Sequence, residues 1–264
     1  GSDTNSITGT PTNITGDFIV NDVKGTADDT INLTGISATG AVNIQAPEAG
    51  VTKFDVSVAN AASATLNAGN TANATMSVAG VDGGVSLTAG DNGSTMSVTA
   101  TSKVQPDSIS MKAGAGNDTV TLTGIKAADE GTNPVLSVDL GDGKNSLTVS
   151  DGTDLTGWKT SITGANITLA GKANLGDLSG ITDSTISGGT LQLSGDLDLT
   201  KSSLNITSGV DIADGATVKV GSGFAASSVT GGTKNTGVLE IAGGTADDPA
   251  ALTGSISVQV QVDN

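Results

Sequence analysis

The residues best suited to chemistry lie in one stretch, Ala113-Gly114-Ala115-Gly116-Asn117-Asp118-Thr119-Val120-Thr121. Its glycines let the backbone turn sharply, Asp118 adds a carboxylate, and Val120 supplies an apolar residue for a core. Backbone carbonyls and a carboxylate are hard oxygen donors of the kind that hold calcium, which makes Gly114, Gly116 and Asp118 candidate ligands. Two other turns follow a similar plan. Lys24 to Asn32 carries Asp28 and Asp29, and Leu140 to Thr148 carries Gly143 and Asn145. If successive turns stack at one corner, Gly116 and Asp118 face Gly143 and Asn145, and a calcium ion would lie between them. The competing reading is that these are Asx and glycine turns whose role is to close the chain on itself.

Other chemistry is poorly supplied. The chain has no His, and its 11 basic residues are all Lys. A polysaccharide-degrading enzyme needs a positioned acid and base. The visible carboxylate pairs, Asp28-Asp29 and Asp247-Asp248, read as solvated corners. No enzymatic activity is therefore expected. Phe18, Phe54, Phe224 and Trp158 are the whole aromatic supply, too few for a broad sugar-stacking platform. A net charge of −16 repels nucleic acid and anionic membranes, and no apolar run is long enough to insert into a bilayer. The absence of Cys excludes disulfides and thiolate zinc, and fits an extracellular protein that offers oxidants no thiol. Gly1-Ser2 reads as a cloning remnant, so a truncated N-terminus is expected.

The elements that must position these turns announce themselves as a repeat. Thr65-Leu66-Asn67-Ala68-Gly69, Ser86-Leu87-Thr88-Ala89-Gly90 and Ser110-Met111-Lys112-Ala113-Gly114 share one pattern, with glycines 21 and 24 residues apart. Each is followed by a second alternating segment, namely Thr75 to Val78, Thr95 to Val98 and Thr119 to Leu122. A weaker fourth copy spans Val138 to Gly141 and Ser146 to Val149. Two short strands and two turns cannot bury an apolar face alone, whereas stacked copies can. The fold expected is all-β, a parallel β-solenoid, with tandem β-sandwich domains as the alternative. Leu66, Leu87, Met111, Met76, Met96 and Val120 would point inward, and Ser and Thr outward. The clear repeat stops before Trp158. This suggests a Gly/Asn-turn solenoid of 20–27-residue rungs over 1–157 and a second β-rich segment over 158–264. Ser255 to Val262 alternates cleanly and reads as a single strand.

The stretch Ala113 to Thr121 resembles the GGxGxDxUx nonapeptide of RTX-bearing secreted bacterial proteins, surface-layer proteins and adhesins, with Ala113 in place of the first glycine. The resemblance implies calcium between adjacent turns and secretion without a cleaved leader. It suggests a self-assembling surface-layer or filament subunit, or the stalk of an adhesin, at the extracellular face of the cell. Its partners would be copies of itself and cell-surface polysaccharide. The outward Thr and Ser of the second segment would form a hydroxyl ladder like those of ice-binding solenoids, although a solvated sheet favours Thr in any case.

Overall fold

The computed structural model describes residues 6–21, 29–47, 51–200, 204–221, 224–242 and 255–263. The chain winds as a parallel β-solenoid of about 10 turns. Alternate strands go to alternate faces. One sheet of thirteen strands runs from Ser6–Gly9 through Ala74–Ala79, Ser94–Thr99, Thr119–Thr123 and Ser146–Val149 to Ser255–Ser257. A second sheet of eight strands runs from Phe18–Asn21 through Ser63–Asn67, Gly84–Thr88, Ser108–Lys112 and Val135–Asp139 to Ile181–Thr182. A third sheet then takes over, built from Leu197–Asp198, Thr217–Val220, Val238–Ala242 and Gln259–Asp263. The ladders are parallel throughout, which rules out the sandwich alternative, whose strands pair antiparallel. The single helical element among the described residues is the 3-10 turn Leu178–Gly180.

Register follows the repeat. Met76 pairs with Met96, Met96 with Val120, and Val120 with Leu147, and all four are fully buried. On the opposite face Leu66, Leu87, Met111 and Val138 form the matching column, also buried. Two apolar columns therefore meet inside the coil. Each such side chain contributes about 1.5–3 kcal/mol on leaving water, a gain no isolated rung can collect. Outward columns are hydroxyl-rich on both faces. Ser77, Ser97, Thr121, Thr148 and Thr168 align on the first, and Thr65, Ser86, Ser110 and Ser137 on the second.

Two stretches of the chain set the course of the sheets. The first sheet crosses the expected division at Trp158 without a break, because Ser146–Val149 pairs with Asn166–Asn174. The wall changes later, between Ile181–Thr182 and Leu197–Asp198. The segment from Ser255 is not one strand. It splits at Val258, giving Ser255–Ser257 to the first sheet and Gln259–Asp263 to the third. Strict alternation was the same on both sides of the corner, so it carried no mark of the bend.

Candidate metal centre

Where the second sheet hands the chain to the first, the turns stack. Register places Gly69, Gly90, Gly114 and Gly141 in one line, with Gly90 N–H donating to Gly69 O at 2.7 Å and Gly114 N–H to Gly90 O at 3.2 Å. The line leaves no room for side chains. A Cβ on Gly116 would be driven into the backbone of Gly93, and one on Gly141 or Gly143 into the carbonyl of Gly114 or Gly116. Close backbone approach selects glycine here as strictly as conformation does.

Behind the glycines runs a second line, formed by the residues just before or at the start of each first-sheet strand: Ala74, Ser94, Asp118, Asn145 and Ala165. Asp118 and Asn145 are each 1% exposed. Asn145 is fully engaged. Its Oδ1 accepts from Asp118 N–H at 3.0 Å, and its Nδ2 donates to the carbonyls of Leu140, Gly141 and Asp142 at 3.0, 3.1 and 3.2 Å. The amide thus ties its own turn to the rung before it.

Asp118 occupies the same place one rung earlier. Its carboxylate accepts from Ser94, from Oγ to Oδ1 at 2.7 Å and from the backbone N–H as well, just as Asn145 accepts from Asp118. Its Oδ2 is buried with no partner. By stacking, Oδ2 corresponds to the Nδ2 of Asn145, so the carbonyls at the corresponding positions of its own turn are those of Ala113, Gly114 and Ala115. An ionised carboxylate oxygen has no hydrogen to offer them. Burial pushes the Asp118 carboxyl above the usual range, and the two Ser94 hydrogen bonds only partly oppose this.

The corner therefore brings together Gly114, Gly116, Asp118, Gly143 and Asn145. It does not bring in Asp29, which lies buried just before Thr30–Ser37, on the far side of the rungs holding Lys53–Asn60, Ala74–Ala79 and Ser94–Thr99. Asp28 and the pair Asp247-Asp248 lie outside the described residues. Among the described residues no three acidic side chains gather as a metal cluster. A cation at this corner would rest on one carboxylate and on carbonyls. The orphaned Oδ2 and the Ala113-to-Ala115 carbonyls have the chemistry to hold a hard ion.

Several corner Asx residues have a role that their spacing alone did not disclose. Asp17 accepts from Ala41 N–H at 2.8 Å, Asp91 from Ala115 at 3.1 Å, Asn117 from Lys144 at 2.8 Å, Asp151 from Lys172 at 2.7 Å and Asp196 from Thr217 at 2.7 Å. In each case the donor lies one rung further on, 21 to 27 residues along the chain. Part of the acidity is thus a set of acceptors for amides that the tight corners leave unpaired. The signal was present as Asx residues recurring at the rung length, alongside the glycines.

Two such groups predict an acid response. Burial pulls the Asp211 carboxyl up, but hydrogen bonds from Lys172 Nζ, Thr230 Oγ1 and Gly232 N–H outweigh it and hold the group below its usual range. Desolvation raises the Asp214 carboxyl too, and hydrogen bonds from Thr233, Lys234 and Thr236 together outweigh it. A depressed folded-state pKa adds stability that is present at neutral pH and lost as pH falls through that value. Acid titration followed by circular dichroism should show unfolding below about pH 4, and Asp211→Asn should flatten that limb.

The chain matches no family model, no curated protein and no solved structure.

Proposed function

We propose that this chain is a non-enzymatic structural protein of the extracellular cell surface, a rod that associates with copies of itself in a layer or filament. The observation that carries this reading is the first sheet, a continuous run of parallel pairings from Ser6–Gly9 to Ser255–Ser257 over an apolar core. Such a body is stiff along its axis because every rung is hydrogen-bonded to the next. Its hydroxyl-rich faces and absent thiols suit an exposed, oxidising location. The stacked glycine corner supports kinship with RTX-bearing surface proteins.

Calcium is the cofactor of this reading. Asp118 and the carbonyls of its turn, with Gly114, Gly116, Gly143 and Asn145 shaping the corner, would hold the ion and neutralise the buried carboxylate. A net charge of −16 also resists association unless cations intervene. Binding to the folded state alone adds about 2.7 kcal/mol at a hundredfold excess over Kd. Millimolar calcium is therefore expected to raise both the melting temperature and light scattering. Asp118→Ala should abolish the response, whereas Asp177→Ala should keep it, because Asp177 caps the distant turn Leu178–Gly180 through Ser179. Unchanged melting and scattering in calcium would remove the metal from the account.

A further inference from the structure

Three successive rungs depart from the otherwise tight passage from the first sheet to the second. Earlier rungs make that passage in residues 38–40, 61–62 and 80–83, but it widens to 100–107, 124–134 and 150–158. The widened loops are fastened to one another. Gln105 donates through Nε2 to Thr101 O at 2.6 Å and Gly124 O at 3.3 Å, and accepts Lys126 N–H on Oε1 at 3.0 Å. Trp158 Nε1 donates to Lys126 O at 2.9 Å, and Ala128 N–H to Thr156 O at 2.8 Å. Between the loops lies a cleft of about 900 Å³.

The cleft gathers Asp82, Lys103, Asp107, Lys126 and Asp129. Among the described residues none of these five side chains has an ion-pair or hydrogen-bond partner. This sets them apart from Asp17, Asp91, Asp151 and Asp196, whose carboxylates are spent on the next rung's amides. Exposed acceptors and donors of both charges thus line one pinned concavity.

We propose that this cleft binds a neutral carbohydrate chain, a role that goes beyond the self-association proposed above. Sugar hydroxyls donate to carboxylates and accept from ammonium groups, so a polyol satisfies both kinds of wall residue at once. A polyanion would meet three carboxylates on a chain already at −16, and an apolar ligand would strand five charges. The volume is in the upper range for small-ligand sites and fits a few sugar units. Trp158 is 4% exposed, so recognition rests on hydrogen bonds rather than on a stacking platform.

The test is affinity electrophoresis of the whole chain through native gels cast with dextran, mannan, xylan or β-glucan, with dextran sulfate as the charged arm. Each variant is referenced to its own mobility in a plain gel. At least one neutral polymer should retard the wild type. The triple change Asp107→Ala, Lys126→Ala and Asp129→Ala should weaken that association about tenfold or more, while Lys112→Ala with Asp142→Ala should leave it unchanged. No retardation by any neutral polymer, equal retardation of the triple variant, or retardation by dextran sulfate alone would overturn the proposal. Light scattering of the same triple variant reports self-association separately, so failure of the cleft and failure of the assembly reading are distinguishable.

Discussion

Gly141→Ala is expected to cost about 2–5 kcal/mol of stability, as the sum of two separable effects. Gly141 holds φ at +60°, a conformation that costs an L-residue about 1–2 kcal/mol. Its Cβ would also press on the carbonyl of Gly114 in the adjoining rung. Overpacking against backbone adds about 1–3 kcal/mol, because a stacked ladder cannot shift one turn without shifting its neighbours. Gly152 is the internal control. Its φ is +72°, but nothing lies within 4 Å of its Cβ position, so Gly152→Ala should carry the conformational part alone. Urea melts of the two variants give the difference directly. Equal losses would mean that the corner glycines serve only backbone geometry and that the rungs are not in the close register described.

Asp118→Asn should stabilise the calcium-free protein at neutral pH by about 1–3 kcal/mol, the usual cost of a buried group without its partner. The new amide would present Nδ2 to the turn carbonyls as Asn145 does, and the desolvated charge would be gone. Asn145→Asp should do the reverse, since it removes three donated hydrogen bonds and adds a second buried carboxylate on the adjoining rung. The pH dependence has a definite sign. The folded-state pKa of Asp118 is raised, so the wild type carries its penalty above that value and sheds it as pH falls. The advantage of Asp118→Asn is therefore largest near neutrality and fades in acid, opposite to the behaviour of Asp211. Calcium should reverse the ranking at neutral pH by stabilising the wild type and not the variant.

These two positions also mark how far the sequence can be read. The solenoid, the buried line of Met76, Met96 and Val120, and the glycine line from Gly69 to Gly141 were legible because rung length and alternation recur together. The juxtaposition of Gly116 and Asp118 with Gly143 and Asn145 was legible for the same reason. Side-chain direction was not. Asp118 and Asn145 look interchangeable as turn residues, yet one amide closes a network that one carboxylate leaves open, and only the three carbonyl distances at Asn145 reveal it. The cleft was hidden because its walls come from Asp82, Asp107 and Asp129, residues far apart in the chain that the stack brings to one corner. The passage from the second sheet to the third was hidden because the strands from Leu197 onward keep the same alternation while changing the wall they build.

On the function proposed above, a rigid stack of rungs associates with its own kind. Electron microscopy of the purified chain, concentrated with and without millimolar calcium, tests it most directly. Ordered filaments or two-dimensional arrays are expected in calcium, with a repeat set by the length of the rod and dispersal on chelation. Single rods at every concentration and in both conditions would contradict it.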